Sequence, residues 1–361
     1  MRALLATAGL LVLAGTSTAA AAPPAPHTLR KSATGPIEAV AQDGGTIAWL
    51  SSGTKVCDEV HVLTPGLPDK TLPQPSSGSM TCHWDLADGQ PQLAFASRTA
   101  TALWTLHESG PSPFDIVVTA SVGGPERQVE RLAHASDGTG EWLGGVTGSG
   151  KTLAYSWYDI EYVDKLACLS GGSCKQKIAD GGIRLVTRTG DQSLPGAPPA
   201  LQLAASTGRL AYIPATIARS GHASAAADGS VNVVDGTTGI PLGRAFVHGI
   251  PAAIALSPHI LAVLTQRGPR DRISWFSADA STKLGSVLVS RRAATQLAAS
   301  DQLIVYRVNQ TLYGVSTATG RIQALVGKTA LDSVGPTLGN GQLVWADNQG
   351  ESGRLRSLAT P

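Results

Sequence analysis

The chain has 361 residues, of which 42% are hydrophobic and 15% are charged, with 41 Gly, 22 Pro and a formal net charge of +2. A chain this apolar is not disordered, and a nearly neutral chain lacks the basic surface that nucleic-acid phosphates require. The many Gly and Pro residues exclude a mainly helical protein, because both are poor helix formers. The composition favours strands joined by turns, and the length allows one large all-β domain.

The first 22 residues have the layout of a secretory signal peptide. Arg2 supplies a positive start, residues 3–15 are apolar, and the four alanines at residues 19–22 suit cleavage. The apolar stretch is shorter than the roughly 20 residues needed to cross a bilayer, and no later stretch is long enough. An uncleaved N-terminal anchor is the alternative. We expect a mature protein that is secreted or periplasmic and has no membrane span.

The four cysteines fit an oxidising compartment, in which an even number of cysteines indicates disulfides. The count alone allows three pairings. The loop between Cys168 and Cys174 is short and contains two glycines that can turn sharply, which favours a bond between these two residues. Cys57 and Cys82 then form the second bond by elimination. A zinc site would need several Cys and His residues at short spacing, and Cys82-His83 is too little for one.

A short pattern returns seven times after the leader, each time following a polar or Gly-rich turn. It consists of an aliphatic residue, a small or aliphatic residue and, in six of the seven copies, an aromatic residue, although aromatics make up only 5% of the chain. The copies are Ile47-Ala48-Trp49, Leu93-Ala94-Phe95, Leu153-Ala154-Tyr155, Leu210-Ala211-Tyr212, Leu261-Ala262-Val263, Ile304-Val305-Tyr306 and Leu343-Val344-Trp345.

Residues 232–240, 273–284 and 312–322 add a second marker downstream of the better-kept copies, because each segment reads as strand, polar turn and strand. Each unit therefore holds about four short strands, which is the form of a propeller blade. A single blade cannot bury both faces of its sheet, so the blades must stack in a ring. We expect the residue in the third position of the pattern to lie on an inner strand and pack against the neighbouring blade.

The predicted fold is all-β, a single seven-bladed β-propeller with about four antiparallel strands per blade over residues 23–361. The approximate blades are residues 36–76, 77–130, 131–198, 199–248, 249–293, 294–330 and 331–361. The last unit is short of one strand. Residues 27–33 are expected to supply that strand, which closes the ring and removes an exposed sheet edge.

With this repeat, the chain resembles the TolB-like exported bacterial β-propellers and, more loosely, quinoprotein-like and WD-repeat propellers. The resemblance covers roughly residues 28–360 and rests on the repeat and on turns such as Asp235-Gly-Thr-Thr-Gly239. The paired Gly-His and Trp-Asp signature of WD repeats and the recurrent Trp motif of quinoprotein blades are both missing. The resemblance therefore implies a propeller fold without implying a particular function.

Residues 145–152, Gly-Val-Thr-Gly-Ser-Gly-Lys-Thr, match the phosphate-binding loop of nucleotide-binding proteins position by position. That loop must lead into a helix whose first amides hold the phosphates. Residues 153–163 are instead aromatic and β-branched, with the alternation of a strand, and they fall in register with the other repeats. We predict a hairpin turn at Gly150-Lys151 and no bound nucleotide.

Other chemical motifs are missing from the sequence. There is no Gly-x-Ser-x-Gly nucleophile elbow, no calcium loop, and the zincin-like start His107-Glu108 meets Pro111 where a second His is required. The eight His residues lie singly along the repeats, which favours surface or turn positions. We therefore predict no catalytic residue, no cofactor and no metal.

The third unit is the longest, because it carries extra sequence from Trp157 to Lys177. Long loops on propellers usually carry the binding function, and Trp and Tyr are favoured interface residues. A neutral surface insertion is the alternative interpretation. The candidate partner-contact loop consists of Trp157, Tyr158, Asp159, Glu161 and Tyr162.

Two functions remain open from the sequence. The favoured one is an exported, non-catalytic scaffold, expected to be a monomer, that binds a protein or a cell-envelope ligand. The alternative is an extracytoplasmic hydrolase or lyase whose active site lies in the central channel, since propeller enzymes draw side chains inward from several blades. A channel lined by converging His, Asp, Glu or Arg would favour the enzyme, and a channel lined by small or aliphatic residues would favour the scaffold.

Overall fold

A computed structural model describes residues 25–32, 35–51, 59–72, 91–108, 112–135, 137–170, 174–218, 222–290, 296–350 and 352–360. Within these ranges the chain forms 30 strands, numbered β1 to β30 in chain order, and one short helix. The strands assemble into seven four-stranded antiparallel sheets and one small hairpin. The prediction of an all-β, seven-bladed propeller is confirmed.

Each blade begins at the centre of the ring and proceeds outward. The first strands of successive blades contact one another in an unbroken circle, and the first strand of the seventh blade contacts that of the first. Blade 1 contains β2 (Ile37–Asp43), β3 (Thr46–Ser51), β4 (Glu59–Leu63) and β5 (Lys70–Thr71). Blade 2 contains β6 (Leu93–Ala96), β7 (Thr101–Glu108), β8 (Phe114–Ser121) and β9 (Glu126–Ala133). Because β9 ends at Ala133, blade 2 extends past the approximate limit of residue 130.

Blades 3 and 4 carry additions between their second and third strands. Blade 3 contains β10 (Gly140–Ser149), β11 (Thr152–Tyr162), β12 (Gln176–Val186) and β13 (Asp191–Ser193), with helix α1 (Lys165–Leu169) between β11 and β12. Blade 4 contains β14 (Ala200–Ser206), β15 (Arg209–Pro214), β18 (Ser230–Asp235) and β19 (Pro241–Phe246). Its added hairpin consists of β16 (Thr216–Ile217) and β17 (Ala223–Ser224).

The remaining blades are regular. Blade 5 contains β20 (Ile250–Leu256), β21 (Ile260–Arg267), β22 (Arg270–Ser277) and β23 (Lys283–Val289). Blade 6 contains β24 (Leu297–Ala299), β25 (Leu303–Val308), β26 (Thr311–Ser316) and β27 (Ile322–Val326). Blade 7 contains β28 (Val334–Gly339), β29 (Gln342–Gln349), β30 (Ser352–Ala359) and, outermost, β1 (His27–Lys31), which pairs antiparallel with β30. That this outer strand is what holds the ring closed stays a prediction.

The two ends of the ring carry different connections, because the strands of a blade alternate in direction. The upper face, as we call it, carries the connections between second and third strands and those between blades. The lower face carries the turns from first to second and from third to fourth strands. The additions of blades 3 and 4 therefore both lie on the upper face.

Seven hydrophobic clusters make up the core, and each lies between two neighbouring blades. The third-position residues of the repeat are buried in them, and in every blade except blade 2 they lie on the second strand, packed against the preceding blade. Trp345 of blade 7, for example, packs with Leu303 and Val305 of blade 6, and Trp49 of blade 1 packs with Val344 of blade 7. The core therefore runs around the whole ring, as the repeat predicted.

The repeat was assigned to the wrong strand in blade 2. Leu93-Ala94-Phe95 forms the innermost strand β6, whereas the six other copies lie on second strands. The equivalent residues are Ala102-Leu103-Trp104 on β7, where Trp104 packs into the cluster between blades 1 and 2. Both strands are buried on both faces and both end their motif in an aromatic residue, so the pattern could not distinguish them.

Several sequence predictions fall on residues outside the described ranges. The signal peptide, residues 1–22, and the bond between Cys57 and Cys82 are among them, and both stay predictions. Among the described residues, no helix has the length and apolar character needed to cross a membrane.

Candidate functional site

The central channel holds a cavity of about 370 Å³ that lies toward the upper face, because the starts of the innermost strands line it. Its wall is made mainly of aliphatic, glycine and amide groups. Glu38 is the one residue with a charged side chain among the described residues that line it. The others are Ala39, Val40, Pro91, Gln92, Leu93, Gly144, Gly145, Val146, Leu201, Gln202, Leu203, Gln296, Val334, Gly335 and Pro336.

Glutamine and small residues alternate around this wall at one equivalent position. In each blade, one residue of the innermost strand pairs with the third-position residue of the second strand, which in blade 2 is Trp104. The equivalent position is the residue immediately before that paired residue. Blades 2, 4 and 6 place Gln92, Gln202 and Gln296 there, and blades 1, 3, 5 and 7 place Ala39, Gly145, Ala253 and Gly335 there. A long side chain in one blade therefore faces a short one in the next, which leaves room for it to reach across.

The glutamines of blades 2 and 4 fasten their blade to the next one. Gln92 donates from Nε2 to the carbonyl oxygen of Gly144 at 3.3 Å and accepts from the backbone N–H of Val146 at 3.1 Å. Gln202 donates to the carbonyl oxygen of Ala252 at 2.7 Å. For Gln296 of blade 6, the residue equivalent to Val146 is Pro336 of blade 7, which has no N–H, and Oε1 of Gln296 is buried without a hydrogen-bond partner.

The phosphate-loop look-alike is a hairpin turn on the lower face, as predicted. Strand β10 ends at Ser149, strand β11 begins at Thr152, and Gly150 takes a φ of 61° between them. The backbone N–H of Gly150 donates to Oδ2 of Asp43 at 2.7 Å, and Oγ of Ser149 donates to Oδ1 at 3.1 Å. A carboxylate of blade 1 therefore occupies the position in which a phosphate-binding loop would hold its anion.

We expect Gly150→Val to destabilise the fold by about 1–2 kcal/mol, because a β-branched residue adopts the left-handed conformation at this cost. Lys151→Ala serves as the matched control, since Lys151 is exposed in the same turn. It should change the free energy of unfolding by no more than about 0.5 kcal/mol. Urea denaturation of both variants measures this, and equal losses would show that the turn has another requirement.

The extra sequence of blade 3 forms a hairpin that rises from the upper face. Its described part consists of the end of β11, helix α1, Cys174 and the start of β12, and it is called the blade 3 hairpin below. Cys168 and Cys174 form a disulfide at its tip, with their Cα atoms 4.6 Å apart. The predicted bond between these two cysteines is present in the structure.

The candidate contact residues occupy different environments along this hairpin. Tyr158 is 9% exposed, and burial, followed by the charge of Asp115, raises the pKa of its phenol to about 12. Burial, together with the charges of Glu161 and Asp180, raises the pKa of Asp159. Glu161 is exposed and forms an ion pair of 3.7 Å with Lys177. Tyr158 is therefore a packing residue, whereas Glu161 is available to a partner.

The tip carries three exposed apolar side chains that the sequence analysis did not single out. Val163 is 59% exposed, Leu166 is 79% exposed and Leu169 is 75% exposed. Leu166 and Leu169 are three residues apart on α1 and so share one side of it. The sequence signal for these three residues is their apolar character within the insertion. The sequence analysis did not use that signal because it selected mainly aromatic residues there.

A polar network joins the sheet of blade 3, below the hairpin, to blade 2. The hydroxyl of the fully buried Tyr155 donates to Oδ2 of Asp191 at 2.9 Å. Arg184 donates to the same oxygen at 2.9 Å, and it lies 3.4 Å from Oε2 of Glu130 in blade 2. Its guanidinium also lies over the ring of Trp157, 5.4 Å from the centroid. Trp157 is therefore engaged in holding the hairpin.

The blade 2–3 junction on the upper face gathers two histidines that the sequence analysis treated as scattered. His107 donates from Nδ1 to Oδ1 of Asp115 at 2.8 Å, and the backbone N–H of Leu143 donates to Oδ2 at 3.2 Å. His134 stacks on Trp142 at 3.8 Å between ring centroids and on His107 at 5.5 Å. The interpretation of the histidines as single surface residues is therefore wrong for His107 and His134. The end of β7, the start of β8 and the end of β9 all meet there.

The described residues contain no group of three or more His, Cys, Asp or Glu side chains placed to hold a metal ion. Two imidazoles and one carboxylate do meet at the blade 2–3 junction. There, the carboxylate is taken up by His107 and by a backbone amide.

We expect the double variant Cys168→Ser, Cys174→Ser to unfold at nearly the temperature of the original protein. The bond closes a short loop, which limits its chain-entropy contribution to about 2 kcal/mol, and both cysteines lie outside the seven inter-blade clusters. The hairpin itself should be cut faster by a protease. Calorimetry and limited proteolysis measure the two effects, and a large fall in the unfolding temperature would place the tip within the cooperative core.

No protein-family model matches the sequence, and no curated protein matches it. Solved structures do resemble its fold. The β-propeller domain of Cps50 (Swd1) from Myceliophteria thermophila superposes with a TM-score of 0.53 at 13% identity, covering 93% of this chain and 100% of that one. Sqt1 from Saccharomyces cerevisiae gives a TM-score of 0.45 at 11% identity, covering 94% and 100%. The first of these shows that the chain is similar in fold to known β-propellers.

Proposed function

We propose that this protein is an exported, non-catalytic β-propeller of the TolB-like kind that binds a protein partner through the tip of the blade 3 hairpin. The observation that carries the proposal is the exposure of Val163, Leu166 and Leu169 at the end of a projection closed by a disulfide. Isolated apolar residues on a surface need no explanation, but three of them grouped on a stapled hairpin favour an interface.

The construction of the hairpin supports this role. A partner that binds a preformed surface does not have to order it, so less of the binding free energy is lost. The disulfide closes the tip of the hairpin, and the Tyr155–Asp191–Arg184 network fixes the sheet from which the hairpin rises, before any partner arrives. The ion pair of Glu161 with Lys177 and the exposed Lys165 surround the apolar residues with polar ones, as in the rim of an interface.

The channel supports binding over catalysis. Its described lining offers amide and aliphatic groups with the single carboxylate of Glu38, which is the lining expected of a scaffold. The disulfide between Cys168 and Cys174 agrees with an oxidising, extracytoplasmic location.

Site-specific photo-crosslinking in the native organism tests the proposed surface. A photoreactive amino acid at Leu166 should give one discrete cross-linked protein. The same amino acid at Leu331, which is 82% exposed on the upper face between blades 6 and 7, serves as the matched control. Adding Leu169→Asp should abolish the product at position 166. Equal products at both positions, or none at position 166, would refute the tip as the contact surface.

Export is tested separately by mass spectrometry of the N-terminal peptide. We expect the protein recovered outside the cytoplasm to begin shortly after the alanines at residues 19–22. Recovery of the chain from the cytoplasm alone, with its leader intact, would contradict export but would leave the contact surface unaffected.

A further inference from the structure

The buried ring of His134 is the most unusual polar group at the blade 2–3 junction. The residue is 7% exposed, and its Nδ1 atom is buried without a hydrogen-bond partner. The side chain also hydrogen-bonds to the backbone of Glu141. The neutral ring suits this position, since one nitrogen donates to a carbonyl and the other carries only a lone pair.

A second proton on this ring would find no hydrogen-bond acceptor. It would sit on Nδ1, which faces no acceptor, and the positive charge would be buried against the aromatic ring of Trp142. The nearest anion is Asp115 on β8, whose two oxygens already accept from His107 on β7 and from the N–H of Leu143 on β10. Burial therefore outweighs the charge of Asp115 and lowers the pKa of His134.

The groups around the ring respond to acid in different ways. A proton on His107 would strengthen its hydrogen bond to Asp115, whereas it would repel a charge on His134. Tyr158 on β11 stays neutral throughout the acid range. His134 is therefore the one group of this cluster whose protonation works against the packed arrangement.

Loss of the packed ring would affect a defined piece of the upper face. His134 forms a β-bridge with Gly140, and Trp142 lies opposite Tyr158 at the root of the blade 3 hairpin. We propose that this junction is an acid-sensitive latch, in which protonation of His134 expels its ring from the stack and releases the chain at residues 134–135 and 137–143.

The direction of the effect follows from linkage. In the unfolded chain His134 takes up a proton near pH 6.5, and in the packed junction it does so only at lower pH. The closed junction is therefore fully stable above about pH 6.5 and loses stability as the pH falls below that value.

Hydrogen exchange followed by mass spectrometry tests the latch on the isolated protein, whether or not the partner proposal holds. After correction for chemical exchange, peptides covering residues 134–143 should lose protection between about pH 7.5 and about pH 5, because the packed junction disfavours the protonated ring that the unfolded chain accepts. Peptides of the blade 5 core, Ile260–Arg267, should keep their protection. Unchanged protection of residues 134–143 in the original protein would by itself overturn the proposal.

Two variants assign the effect to one ring. His134→Phe keeps an aromatic ring in the stack but cannot be protonated, so it should remove the pH dependence of residues 134–143. His61→Phe is the control, because His61 is half-buried, likewise stacks on a tryptophan (Trp49, at 5.0 Å) and has a pKa lowered by burial, but lies in blade 1. It should leave that dependence intact. A pH dependence that survives His134→Phe would also overturn the proposal.

Discussion

Replacing Asp43 with alanine is expected to lower the free energy of unfolding by about 3 kcal/mol, because charge-assisted hydrogen bonds contribute more than neutral ones and unmatched donors are costly. The carboxylate accepts from the backbone N–H groups of Ser97 and Gly150, both at 2.7 Å, and from the hydroxyls of Ser97 and Ser149. These donors belong to blades 2 and 3, so one side chain of blade 1 ties three blades together. Urea denaturation followed by circular dichroism measures the loss.

Asp43→Asn should lower the free energy of unfolding by less than Asp43→Ala does. The amide keeps one acceptor oxygen in place but loses the charge, so about half of the destabilisation should remain. A loss of less than about 0.5 kcal/mol in Asp43→Ala, the range of ordinary surface changes, would show that water replaces the carboxylate without penalty.

Gln92→Leu is expected to cost about 2 kcal/mol, because leucine has a similar size but leaves the carbonyl of Gly144 and the N–H of Val146 without their partner. Chemical denaturation of the purified variant measures this. The slope of the transition should stay unchanged, since the variant exposes no more surface on unfolding.

Gln296→Leu is the matched control for Gln92→Leu, since it makes the same substitution at the equivalent position of blade 6. Oε1 of Gln296 has no partner to lose, and removing a buried, unsatisfied carbonyl is neutral or favourable. The variant should stay within about 0.5 kcal/mol of the original protein. A similar loss in both variants would mean that the glutamines act through packing instead of through their hydrogen bonds.

The ring was predictable from the sequence because each blade solves the same packing problem with the same residues. Trp49, Tyr155, Tyr212 and Trp345 all recur after a turn, and all are buried between blades. The misplaced copy at Leu93-Ala94-Phe95 shows the limit of this reasoning. Two adjacent strands of one blade are both fully buried, so their periodicity does not say which of them lies innermost.

The cluster of His107, His134 and Asp115 at the blade 2–3 junction was not predictable from the sequence, because it depends on which strand ends meet. His107 and His134 are separated in the sequence by two strands and a turn, and the zincin-like start at His107-Glu108 is incomplete. Once the blade limits are known, the end of β7, the start of β8 and the end of β9 must lie on one face. The role of Asp43 was not predictable for the same reason, because its hydrogen-bond donors come from two other blades.

Whether the alternation of glutamine and small residues around the channel can be complete depends on whether the number of blades is even or odd. A two-step pattern closes on itself only in a ring with an even number of members, and this ring has seven. The pattern must therefore fail once, and it does so where Gly335 of blade 7 meets Ala39 of blade 1. At that seam no glutamine of this position reaches into the neighbouring blade, although Gln42, farther along β2, donates to the carbonyl oxygen of Gly339 at 2.9 Å. The seven blades therefore do not present the same side chains to the channel, and a molecule entering it would meet one junction that differs from the alternating ones.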